Sequence, residues 1–312
     1  NDGAIDFSTN TINAEGNDTD RLTLTSGGGT ITMGGIVGGA APLDRFIVNA
    51  DALTIAANIT TDNGLIDINA PVTISGTTVA INSGSGTGNI EFSSTIDGTK
   101  NLDILSGTGT VTITGNIGTS NALTSLDINN TGAANTGSIV LSGNIGTDSA
   151  AGAGAVTLGH DGLTGSITFG STGVAGDYNT TGDQIYEADS YVLSGTDPTF
   201  ATVDDAVTFN DGGLTLATAS NLTINTGSGT AGAITIQGDI AGTSDGSTTT
   251  VTLEAGSGAV AIKGIGTDIG NVTIDGSGGV TLNGSITTAG GNIDILSLIH
   301  IDAADDLWCV DL

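Results

Sequence analysis

Apolar and polar residues alternate in short runs along nearly the whole chain. "LTIAAN" begins at Leu53, "GTVTITGNIGT" at Gly109, "GSIVLSGNIGT" at Gly137, "GAITIQGDIAGT" at Gly232 and "GGVTLNGSITT" at Gly278. A period of two marks a strand with one buried face, because successive side chains leave opposite sides of the backbone. Gly, Asn, Asp, Ser and Thr split the runs, and these are the residues that turns select. No helical period appears before residue 296, so the pattern predicts an all-β chain.

The runs recur. "LTI" or a variant of it begins at Leu53, Leu102, Leu126, Leu222 and Val272. The gaps lie close to multiples of 24 or 25 residues, although Val72 and Val111 fall off this grid. A longer echo overlies it: "ITTDNGLIDINAPVTIS" from Ile59 is answered by "NTTGDQIYEADSYVLS" from Asn179 and "ITTAGGNIDI" from Ile286. An all-strand period in the twenties predicts stacked coils, a parallel β-helix with roughly 20–25 residues per coil. Leucine-rich repeats need a Leu/Asn consensus that is absent, and propeller blades need about 40 residues each. An array of small β-sandwiches is the competing architecture, since short strands with regular turns also build sandwiches. Some twelve coils about 4.8 Å apart predict a rod of roughly 55–60 Å.

Composition supports burial without bulk. Of 312 residues 52 are Gly and only 3% are aromatic, yet 37% are hydrophobic. That apolar share separates the chain from Gly-rich disorder. No run approaches the ~20 apolar residues of a membrane helix, so direct membrane insertion is not expected. The chain does not begin with Met and reads as a fragment of a longer one.

Charge narrows the partners. There are 33 acids against four bases (Arg21, Arg45, Lys100, Lys263), a net charge of −29. Nucleic acid is not an expected partner, because phosphate binding needs Lys and Arg. Anionic lipid is disfavoured on the same ground. One reading of the charge is solubility of a long β-rich surface. The other is cation binding by Asp-rich loops outside the cell.

At "TTGDQIYEADSYVLSG", "NALTSLDINNTG" and "GSIVLSGNIGT" the chain resembles the repeats of filamentous-haemagglutinin-like exoproteins. These are large bacterial surface adhesins secreted by two-partner or autotransporter routes. The resemblance covers residues 1 to about 295. It implies a right-handed parallel β-helix, an extracellular or outer-cell-surface location, and a non-catalytic role as stalk or adhesive surface. The implied partners are a glycan or protein on a host or neighbouring cell, and the secretion and anchoring domains of the same full-length chain. The resemblance carries no catalytic residues.

Residues 296–312, "LSLIHIDAADDLWCVDL", break the style. "LSLIHI" is the forward translation of CTGTCTCTTATACACATC, a transposase-end adapter of sequencing libraries. The segment resembles such an adapter read through, and the competing reading is a C-terminal cap. On the first reading residues 1–295 form one repeat region, and His300, Trp308 and Cys309 support no site.

The remaining motifs are weighed by the context each chemistry needs. "GSGTAG", with Gly227, Gly229 and Gly232, matches a dinucleotide fingerprint, but a strand pattern follows where a helix is required. "GTSDG", with Gly242, Ser244 and Gly246, matches a nucleophile elbow, but the body's one His, His160, precedes it. "GNDTDRLTL" from Gly16 loosely follows the calcium nonapeptide, making Asp18 and Asp20 the calcium candidates. Asp204–Asp205 is a similar pair. Their plain reading is solvated turns.

Two further functions stay open. A polysaccharide-active β-helix enzyme needs two carboxylates at a set separation. Tyr186 and Tyr191, an odd number apart on one candidate strand, are expected on opposite faces. A surface-layer-type scaffold would be calcium-dependent. No other cofactor is expected.

Overall fold

The computed structural model describes residues 3–16, 19–147, 150–217, 220–229, 232–243, 248–266 and 268–296. They form 26 strands and no helix. Every ladder between these strands is parallel. The only antiparallel pairing among the described residues is the isolated bridge Thr147↔Ala150. A sandwich array would be built from antiparallel ladders. The chain is instead a parallel β-solenoid of about twelve turns.

Register partners, followed from coil to coil, trace three columns. The first runs Ile5, Ile31, Leu53, Val72, Ile96, Ile117, Ile145, Tyr178, Phe200, Ile224, Leu253, Ile274, Ile295. The second runs Ile12, Val37, Ile59, Ile81, Ile104, Ile128, Leu158, Tyr186, Phe209, Ile236, Ile262, Leu282. The third runs Leu22, Phe46, Ile66, Ile90, Val111, Ile139, Ile167, Tyr191, Leu214, Ile240, Ile265, Ile286. The chain visits the faces in that order, so each coil is a triangle of short strands. The first column takes twelve steps from Ile5 to Ile295, about 24 residues each. At about 4.8 Å per step the stack is roughly 58 Å long. Between its ends, the members of all three columns are at most 2% exposed. The inward half of each alternating run therefore meets the same half of its neighbours, and burial of these β-branched side chains drives the stack.

Corners are built from residues that tolerate a sharp bend and a close neighbour. Asn63 and Asn129 adopt φ of 57° and 47°, the left-handed region where Asn's cost is lowest after Gly. A Cβ on Gly137 would stand 1.7 Å from the Gly109 carbonyl oxygen of the preceding coil, so only Gly fits there. Inward hydroxyls satisfy corner carbonyls. Thr61 donates to Gly64 O at 2.7 Å, Ser83 to Gly88 O at 2.6 Å and Ser106 to Gly109 O at 2.7 Å, after three successive second-face strands. Thr180 and Thr226 do the same at the preceding corner. Buried Asn129 ends the first series, taking the Ser106 amide at 2.9 Å and donating to the Ser106 hydroxyl at 3.0 Å.

The long echo falls on different faces. Ile59 lies in the second column, Ile286 in the third, and Asn179 directly follows Tyr178 of the first. What repeats is one strand plus one corner, used on all three sides.

Tyr186 and Tyr191 are both fully buried, against the expectation of opposite faces. The strand Gln184–Leu193 turns a corner between them, which resets the alternation, and each tyrosine enters a different column. They join Phe169, Tyr178, Phe200 and Phe209 in one box with ring centroids 4.7–6.3 Å apart. Tyr186 donates to Gln184 Oε1 at 3.0 Å, and Tyr191 to Asn210 O at 2.6 Å. Burial pushes the phenols of Tyr178, Tyr186 and Tyr191 up. The rings are core, not a sugar platform.

Candidate functional site

With the inward positions filled by the core, chemistry is left to the outward positions and the corners. Outward residues follow the same register. Thr199, Thr223, Thr252 and Thr273 stand above one another on the first face. Asp103 and Asp127 are register neighbours on the second. Burial raises the proton affinity of the Asp103 carboxyl, and the Asp127 charge raises it further. Burial also raises Asp127, while hydrogen bonds from Thr157, Ser125 and Asn130 oppose the rise. This is the only adjacent carboxylate pair in which both members are raised, among the described residues. Sequence carried the signal: each Asp is the middle of an "LDI" triplet, and the two lie 24 residues apart. They stand on the outward side of the second face.

The clefts lie mainly along the corners and are shallow. One of about 340 Å³ is lined by Asn225, Gly227, Ser228, Glu254, Gly256 and Asp275. Its Glu254 carboxylate accepts a hydrogen bond from Asn225 at 2.8 Å. Another, of about 300 Å³, gathers Thr73, Ser75, Thr99, Lys100 and Asn121. A third, of about 400 Å³, is lined by Thr172, Val192, Leu193, Ser194, Thr215, Ala217 and Thr243. None contains Asp103, Asp127 or His160. No group of three or more His, Cys, Asp or Glu is arranged to hold a metal ion among the described residues.

The residues singled out by sequence take structural places. Asp20 accepts the Glu15 amide at 2.6 Å, fastening the loop that precedes the strand Arg21–Met33. Asp18 lies outside the described residues, as do Ser244, Gly246, His300, Trp308 and Cys309. Asp204 accepts the Gly229 amide of the next coil at 2.7 Å, with its own φ at 65°. After Gly232 comes the strand Ile234–Gly242, so no helix N-terminus is available for a pyrophosphate. The His160 ring nitrogens lie 2.8 Å from Asp161 O and 3.1 Å from Asn135 O, pinning two corner loops together. Glu187 nearby is raised by burial and then by Asp211 and Asp161, while His160 opposes the rise.

These features define a class, a parallel β-solenoid repeat protein. Compared with known proteins, the chain matches no family model, no curated protein and no solved structure.

Proposed function

We propose that this chain is a structural, rod-forming segment of a large exported bacterial surface protein of adhesin type. Its coils hold a distant binding region away from the cell, or offer their acidic flanks as an adhesive surface to a glycan or protein on another cell. The observation that supports this most is the unbroken triple column. It devotes the apolar residues of twelve coils to length and stiffness. The excess of 33 acids over four bases suits a flank that stays solvated and repels its neighbours.

The test is display of the chain, carrying an epitope at its far end, between a secretion signal and an anchor on a bacterial host. The expected result is an epitope open to antibody on intact cells, with reach that grows when coils are duplicated. Reducing-sugar release from acidic or neutral polysaccharides, abolished by Asp103→Asn or Asp127→Asn, would replace this reading with a glycan-active enzyme.

A further inference from the structure

His160 sits between two carbonyl oxygens. Its Nδ1 lies 2.8 Å from Asp161 O and its Nε2 3.1 Å from Asn135 O. A carbonyl oxygen only accepts, so both ring nitrogens must donate if both bonds are to form. A neutral imidazole has one N–H and presents a lone pair at the other nitrogen, and only the imidazolium donates twice. The two contacts together therefore specify the protonated ring. The surroundings suit a cation. Glu187 feels the charges of His160, Asp161 and Asp211 together, so the imidazole stands in a group of carboxylates. Asp189 completes the charges of the strand Gln184–Leu193. On the strand Leu123–Ile128, Asp127 accepts the Asn130 side chain at 2.9 Å. Residues 129–137 bring no charge of their own.

The two bonds hold different things. Asp161 O belongs to the histidine's own turn, whereas Asn135 O belongs to a loop of the preceding coil. The corner from Ile128 to Ile139 is four residues longer than the one before it, from Ile104 to Val111, and Thr131, Gly132, Ala133 and Ala134 are exposed on it. The loop is tied within itself. The Asn135 amide donates to Gly132 O at 2.8 Å, and Asn135 Nδ2 donates to Thr131 O. Asn135 Oδ1 accepts the Gly107 amide of the coil before at 3.1 Å. Toward the following coil, the bond from His160 is the one hydrogen bond of residues 131–135 among the described residues.

We propose that His160 is a pH-operated clasp on this loop. Protonated, the ring joins the loop to the following coil. When pH rises and the ring gives up one proton, a lone pair faces a carbonyl oxygen and one of the two bonds must open. The bond within the turn is the shorter and the more local, so the remaining proton stays on Nδ1 and the loop is released. Folding favours the protonated form here, so the clasp's contribution to stability is present at acid pH and lost as pH rises.

NMR of the full chain between about pH 5 and 8, where imidazoles change charge, tests the clasp. His160→Gln distinguishes the ring signals of His160 from those of His300. At the acid end both ring N–H protons should be visible and protected from exchange. At the alkaline end the ring should be the Nδ1–H tautomer. Amide protection at Asn135 and Gly107, corrected for intrinsic rates, should fall roughly ten- to a hundredfold from acid to alkaline pH, as loss of a hydrogen bond from a charged donor implies. Asn221–Asn225, far along the rod, should keep its protection. His160→Gln should abolish the pH response, and Glu187→Gln should retain it. Exchange-averaged ring protons at acid pH, an Nε2–H tautomer at alkaline pH, or loop protection indifferent to pH would each overturn the clasp. So would a response that survives His160→Gln or disappears with Glu187→Gln, since a carboxylate would then be the switch.

Discussion

Ile104→Ala probes whether stability is local along the stack. Ile104 is fully buried, with Ile81 and Ile128 as its register partners in the second column. Truncating a buried isoleucine to alanine costs about 2–5 kcal/mol, the spread reflecting how far the site collapses. In a stacked-repeat protein that cost falls on one coil and its nearest-neighbour interfaces. Amide exchange reads it directly, since protection follows the free energy of local opening. At about 1.4 kcal/mol per tenfold, protection should drop by a factor of about 30 to a few thousand. The loss is expected in Thr78–Asn82, Asn101–Leu105 and Leu123–Ile128. Asn221–Asn225 and Asn271–Asp275, at the far end of the rod, should keep theirs. Ile224→Ala should reverse the map, exposing Thr196–Ala201, Asn221–Asn225 and Thr250–Glu254. Equal loss along the whole rod, or no loss at either site, would refute nearest-neighbour stability.

Three other outcomes are expected. Asn129→Ala strands the buried Ser106 amide and forces alanine into a left-handed φ, so the urea midpoint should fall by the equivalent of about 1–3 kcal/mol or more. Asn129→Gly relieves only the backbone part and should recover part of that loss, and equal midpoints would deny the backbone contribution. Asp103 binds its proton more readily folded than unfolded, so its contribution to stability rises as pH falls through its raised value toward 3.8. Asp103→Asn should therefore raise the neutral-pH melting temperature, with the difference shrinking on acidification toward 3.8; a lower neutral-pH melting temperature would contradict the sign. Finally, millimolar calcium should raise the melting temperature no more than matched ionic strength does, whereas a selective rise would favour the calcium-dependent scaffold.

Strands, turns and the coil period were legible because one physical rule, period-two burial between turn residues, governs nearly every described segment. The phase of the repeat was harder to read. "LTI" at Leu53 lies on the first face and "LDI" at Leu102 on the second, so the 24-residue grid mixes faces that look alike in sequence. Tyr186 and Tyr191 were misplaced for a related reason. Parity arguments fail across a corner, and Glu187–Ser190 looks no different from strand interior until the bend is seen. The Asp103–Asp127 pair was readable in the repeated triplet, but its proton affinity depends on burial that alternation does not quantify. Asp20 and Asp204 drew a calcium reading because Asp-rich turns and Asp-rich cation loops share residues, and in the structure each accepts one backbone amide on one carboxylate oxygen.

The interchangeability of the three faces bears on how such a rod changes over generations. A duplication or deletion of one strand with its corner, on the order of eight residues, shifts everything downstream by a third of a turn. Each inward isoleucine or valine then lands on a different column of the same chemistry, so the core tolerates the slip. Length can thus drift in small increments. Each increment also swings whatever the far end carries by about 120° around the axis, turning a length mutation into a change of aim.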